Sequence, residues 1–191
     1  QYAPVYFLQG EESYYIDLLT NYIEDNVLNE AEKGFNLTVL YGKEQSMSDI
    51  LMHARRFPMG SDRQVVIVKE AQELSDLRTQ SGRKLLEAYV QVPQSATLLV
   101  LAHKYKTLDA RISLSKVLAK EAVLVLAKRL YDHEIADWIS AYIHEIRLKI
   151  TDKAVLMLQE FIGNDLTRLA KDLDKIRLNL SEGATVDDEI V

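Results

Sequence analysis

The chain has 191 residues, 48% of them hydrophobic and 27% charged, a length for one large domain or two small ones. Only 7 Gly and 3 Pro occur and there is no Cys, which excludes long disordered stretches, disulfides, zinc fingers, iron–sulfur clusters and thiol nucleophiles. The net charge is −6, with 14 basic and 16 acidic side chains over residues 1–127 and 9 and 13 over 128–191, so neither part has the basic balance of a protein that grips DNA alone. No apolar run approaches the ~18 residues of a membrane helix. The opening Gln1-Tyr2-Ala3-Pro4 has no basic segment leading into an apolar one, so no signal peptide is expected and the expected location is cytoplasmic.

In chain order, Val5 to Leu8 reads as a buried strand ended by Gly10, and Ile16, Leu19, Ile23 and Val27 follow at helical spacing. Leu37 to Tyr41 is a second strand. Ser46 and Asp49 form a capping-box pattern that opens a short helix to about Arg56, broken by Phe57-Pro58-Met59-Gly60. Val65 to Val68 is a third strand of four β-branched residues. A helix is expected from Gly82 to about Gln91, a fourth strand over Thr97 to Leu101, a helix from Asp109 to Lys120, and a fifth strand over Ala122 to Leu126. Apolar strands separated by helices imply a parallel sheet covered on both faces, a three-layer α/β fold.

After Leu126 the period changes. Ile135, Trp138, Ile139, Tyr142, Ile143 and Ile146 form a helical stripe. Thr151 to Ile162 reads as a second helix stopped by Gly163-Asn164, and Asp165 as the cap of a third. Thr185 is expected to start one more. The expected division is an α/β domain over residues 1–127 and a small helical domain over 128–191.

A parallel sheet with a small helical domain is the plan of many P-loop ATPases, and the turn after the first strand decides whether phosphate chemistry is present. A phosphate cradle needs glycines for close backbone approach, a Lys for charge and a Ser/Thr for magnesium. Here the turn reads Gln9-Gly10-Glu11-Glu12-Ser13, with one glycine, no lysine and two carboxylates, which suit a helix N-terminus better than a nucleotide. The third strand runs into Lys69-Glu70-Ala71 where an ATPase has Asp-Glu, and a lysine cannot hold magnesium. His53, His103, His133 and His144 are scattered and expected to face solvent; His133-Glu134 is followed by Asp137, not by the second His of a zinc-protease helix. No catalytic residue, cofactor or metal site is expected.

Two surface features stand out. Phe57, Pro58 and Met59 sit at a helix tip, where Phe57 either packs under the sheet or stands exposed for a partner's pocket; Leu51 and Met52 could widen that patch. Residues 103–129 carry Lys104, Lys106, Arg111, Lys116, Lys120, Lys128 and Arg129 against Asp109 and Glu121, either one solvated face or a contact for an acidic partner or nucleic acid.

Four segments resemble the delta subunit of the bacterial DNA polymerase III clamp loader. They are Tyr6 to Glu12 with its aromatic helix, Arg56 to Val68, the Leu108-Asp109-Ala110-Arg111 helix start running to Lys116, and Gly163 to Ile176. The resemblance implies an inactive AAA+ module whose work is to bind the ring-shaped sliding clamp and open it or hold it open, while other subunits hydrolyse ATP. It implies that Phe57, Pro58 and Met59 make the clamp contact. Gly60 departs from members with two large residues in a row. It also implies that the chain covers the first two domains only. The collar domain that joins the ATPase subunits and delta-prime would then be missing, and primer-template DNA would be met indirectly. The nearest match to the lid arginine that touches phosphate in active ATPases is Thr167 or Arg168. Competing readings are a stator-type loader subunit, a nucleotide-binding α/β enzyme and a generic adaptor. Delta-prime proteins usually keep a Ser-Arg-Cys finger, which a chain without Cys cannot have.

Overall fold

The structure, a computed structural model, describes residues 2–191. It divides into two units, one ending at Lys128 and the other running from Arg129 to Val191. The first unit is built on β1 (Val5–Gly10), β2 (Leu37–Tyr41), β3 (Gln64–Lys69), β4 (Thr97–Lys104) and β5 (Val123–Ala127). These form one sheet in the order β2-β3-β4-β1-β5, with every neighbouring pair parallel. Strand residues alternate between faces. Val66 and Val68 enter the core under α3 (Met47–Ala54), α4 (Gln80–Gln91) and α5 (Ser113–Glu121), while Val65 and Ile67 enter the core under α1 (Ser13–Asn26). Both faces are therefore covered, which is why the central strands read as unbroken apolar runs. Each fully buried Val, Leu or Ile contributes about 1.5–3 kcal/mol.

Several expectations need correction. Leu19 is 37% exposed, because α1 turns Ile16, Thr20 and Ile23 inward instead. Thr20 tolerates that burial because its hydroxyl donates to the Ile16 carbonyl at 2.7 Å. The helix expected from Asp109 begins at Ser113, since Asp109 Oδ1 accepts from the Arg111 backbone N–H and guanidinium and holds a loop. A seven-residue helix before β2, α2 (Glu30–Asn36), was not anticipated; it has a complete capping box between Asn29 and Glu32.

The second unit holds α6 (Asp132–Glu145), α7 (Asp152–Ile162) and α8 (Leu166–Leu178). Ile135, Ile139 and Ile143 of α6 are buried, as are Leu158 of α7 and Leu169 and Leu173 of α8. Thr151 caps α7 through the Ala154 N–H, and Asp165 caps α8 through the Arg168 N–H. Gly163 ends α7 at φ +73°, in the region that favours glycine. Thr185 starts no helix. It pairs in β7 (Thr185–Val186) with β6 (Lys149–Ile150), a two-residue parallel ladder that places the buried Val186 in this unit's core.

Candidate functional site

The tip before β3 carries exposed apolar side chains on a braced backbone. Ser46 opens α3 by accepting from the Asp49 N–H at 3.2 Å, and Asp49 returns the bond to the Ser46 N–H. Successive helical residues point about 100° apart. Leu51 therefore faces the sheet at 3% exposure while Met52 faces out at 53%. Leu51 belongs to the core and does not extend an exposed patch, which corrects the expectation for that residue. It forms the floor of an open groove of about 390 Å³ lined by Ser48, Met52, Arg55, Arg56 and Leu85.

Past Arg55 the chain leaves the helix and carries Phe57 at 78% and Met59 at 67% exposure, with Pro58 half-buried between them. Gly60 turns the chain at φ +64°, where a side chain would be strained. The backbone on either side is held. Gln64, 7% exposed, donates through Nε2 to the Arg56 carbonyl at 2.5 Å and to Thr97 Oγ1 at 2.8 Å. Asn36, 3% exposed at the end of α2, donates Nδ2 to the Met59 carbonyl at 3.0 Å and accepts the Met59 N–H at Oδ1 at 2.7 Å. Ser61 donates its hydroxyl to Glu32 Oε1 at 2.7 Å. That bond, with the one from the Asn29 backbone, holds the Glu32 carboxyl below its ordinary pKa. The residues that brace the tip thus come from β3 on one side and α2 on the other. The sequence signal for α2 was the Asn29 to Glu32 capping-box spacing.

The opposite end of the parallel strands is arranged differently. Gly10 takes φ +141°, and a Cβ built on it would lie 2.0 Å from the Ala127 carbonyl oxygen. That same carbonyl accepts the Glu12 N–H at 3.1 Å. The Glu12 carboxylate, 7% exposed, caps α1 by accepting the Tyr14 N–H at 3.1 Å. At this turn the end of β5 leaves no room for a side chain on Gly10, and an acidic residue caps α1. Lys69 meets Glu24 at 2.8 Å.

The basic stretch comes apart into residues with different partners. Lys104, with its side chain only 12% exposed, bridges Asp17 at 2.7 Å and Glu70 at 3.1 Å. Burial pulls its pKa down, but the bonds to Asp17 and Glu70 outweigh burial and hold it above the ordinary value. It is a structural ion pair, which corrects its placement among partner contacts. Arg111 reaches Asp109 at 2.7 Å and keeps that carboxyl down to about 2. Lys120 pairs with Glu121 at 2.8 Å, and Lys106 and Lys116 are exposed. His103 is buried instead of facing solvent: its Nδ1–H donates to the Lys106 carbonyl at 3.0 Å, and burial lowers its pKa. In the helical unit Arg168 lies 3.8 Å from Asp172, one turn along α8.

The fold places the chain among AAA+-type α/β proteins with a C-terminal helical unit. It superposes on the RuvB Holliday junction branch migration motor of Thermotoga maritima with a TM-score of 0.53 at 15% identity, over 98% of this chain and 59% of that one. It matches a DNA polymerase III gamma subunit-related protein of the same organism with a TM-score of 0.56 at 15% identity, over 90% and 53%. Those two likenesses define the fold alone. The sequence model of the family described as DNA polymerase III, delta subunit, matches residues 6–128, and the chain belongs to that family. It is 29% identical over 177 residues to the DNA polymerase III subunit delta of Bacillus subtilis, across 91% of this chain and 51% of that protein. A solved structure of a Bacillus subtilis DNA clamp loader delta protein agrees with a TM-score of 0.79 at 27% identity, over 98% of this chain and 57% of that one. The chain thus spans about half the length of the curated relative it matches.

Proposed function

We propose that this chain is the ring-contacting part of a clamp-loader delta subunit, and that Phe57, Pro58 and Met59 enter an apolar pocket on a sliding clamp. The observation that carries the reading is the pair of large apolar side chains, 78% and 67% exposed, on a backbone held by Gln64 and Asn36. Exposed anchors on a fixed backbone lose little freedom on docking, which favours affinity. Met52 stands on the same helix end and adds to the contact. The work on the ring is mechanical. A binder shifts the closed–open equilibrium of a ring only by its differential affinity for the two states. The tip therefore grips a surface near the ring's subunit interface that the closed ring presents less well.

The chain does this without hydrolysing ATP. The crowded turn at Gly10, the carboxylate of Glu12 at the α1 N-terminus and Lys69 in place of an acidic magnesium ligand support that reading. ATP is then supplied to the assembly by neighbouring subunits, joined through a collar that follows the lid-like unit from Arg129 onward. Lys106, Lys116 and Arg111 are surface contacts for those subunits or, indirectly, for primer-template DNA. The setting is the cytoplasm, beside the replication machinery; among the described residues no helix is long and apolar enough to cross a membrane.

Surface plasmon resonance of this chain against the sliding clamp of the same organism tests the proposal, with a Phe57→Ala/Met59→Ala variant beside it. If both residues are hot spots, the variant binds about a hundredfold or more weaker. Undiminished binding by the variant moves the site elsewhere, and a saturable thermal shift with Mg-ATP counts against the inactive-ATPase reading.

A further inference from the structure

Three features stand out beyond the tip's own side chains. In the polar hollow of the helical unit Gln159 donates to the Asp132 carbonyl and Asn164 to the Asp132 carboxylate, and nothing there points to a ligand. The groove beside Arg55 and Arg56 is lined by exposed arginines with no indication of an occupant. The third feature, α2, carries an inference.

We propose that α2 is the second half of the docking surface: Asn36 fixes the tip for binding, and Phe35 adds apolar contact area for the same ring-shaped partner. The proposal rests on the reading of the tip as the clamp contact. Asn36 is buried, and its side-chain amide satisfies both backbone groups of Met59 with bonds of 3.0 and 2.7 Å across 23 positions of sequence. A primary amide can donate and accept at once, which is why it can close both bonds to one residue; a carboxylate only accepts and an alanine does neither. Glu32, one turn earlier on α2, takes the Ser61 hydroxyl at 2.7 Å, so the helix holds the tip at two points two residues apart. Met59 contributes no buried side chain to the core, being 67% exposed, so these bonds order a segment whose side chain has no use within the chain.

Phe35 makes the same case from the surface. It precedes Asn36, so its backbone lies beside the tip, yet the ring is 75% exposed. Phe35, Phe57 and Met59 are then three exposed apolar side chains on two elements that the Asn36–Met59 bonds tie together. Docking an apolar pocket over three such side chains removes more water than docking over two. The occupant is the partner that takes the tip, because the Asn36 bonds to Met59 fix α2 to the segment that carries Phe57 and Met59.

The test uses this chain and the sliding clamp of the same organism in surface plasmon resonance, with Asn36→Ala, Asn36→Asp, Phe35→Ala and Phe57→Ala/Met59→Ala. Thermal unfolding and amide hydrogen exchange at Met59 are read alongside. Losing both Asn36 bonds is expected to weaken binding about tenfold; the Asp variant keeps the acceptor and falls between. Phe35→Ala, a surface change that leaves unfolding in place, is expected to cost about three- to tenfold. Exchange at Met59 speeds up in Asn36→Ala by more than at the buried amides of β3, whereas a merely stabilising role would speed both together. If the tip variant loses binding while the Phe35 and Asn36 variants that remain folded bind like the parent, the inference is overturned and the tip stands. If the tip variant binds as tightly as the parent, both fall. If Asn36→Ala fails to fold, Asn36→Asp and Phe35→Ala still decide.

Discussion

The turn after β1 and the tip before β3 lie at opposite ends of the same parallel strands, and they dispose of their side chains in opposite ways. At Gly10 the chain presses against Ala127 so closely that a methyl group has no room, and the Glu12 carboxylate is spent on a helix cap. At the tip two large apolar side chains stand in solvent while side-chain amides from Gln64 and Asn36 hold only the backbone. The first arrangement leaves no room for a side chain at Gly10. The second leaves side chains that the fold itself does not need.

Substitutions sharpen the contrast, and unfolding by urea or heat measures each. Gly10→Ala is expected to destabilise the chain by about 3 kcal/mol or more, since the new Cβ meets backbone at a positive φ. Leu51→Ala, one residue from the exposed Met52, should lose about 2–4 kcal/mol as a core cavity opens. Lys104→Met at the Gly10 end of the strands leaves Asp17 and Glu70 facing each other without their cation, for about 1–2 kcal/mol. The Lys104 pair also gives a pH signature. Because its folded pKa is raised above the ordinary 10.5, its contribution is fully present below that value and is lost as pH rises through the folded pKa. The parent should therefore lose stability at the alkaline end in a way the Met variant does not. Phe57→Ala/Met59→Ala and Met52→Ala should move stability by no more than about 0.5 kcal/mol, because these side chains are exposed. A large stability loss at the tip would break the comparison.

The central strands β1, β3 and β4 were legible because they are buried on both sides and so read as apolar runs; the half-exposed edge strand β2 still runs from Leu37 to Tyr41 as the sequence pattern indicates. Capping boxes and caps at Ser46, Thr151 and Asp165 were legible for a local reason: each helix start depends on bonds within three residues. What escaped depends on distant partners. α2 has little apolar periodicity and is half-exposed, and its Asn36 finds its role only at Met59. Lys104 looked like a free surface cation because Asp17 and Glu70 are far off in sequence. Leu51 and Met52 looked alike because they are neighbours in sequence, although a helix turns them to different sides. Thr185 resembled a helix cap, and its pairing with Lys149 is a contact across the whole helical unit.

The strand order has a consequence for how the chain comes into being on the ribosome. β1, made first, is flanked only by β4 and β5, made last in its unit. With synthesis at about 5–20 residues per second, the apolar Val5 to Leu8 segment waits on the order of 5–20 seconds for residues 97–127 to emerge. Through that interval its strand edges have no native neighbour, so this stretch is where a holding chaperone would have to act.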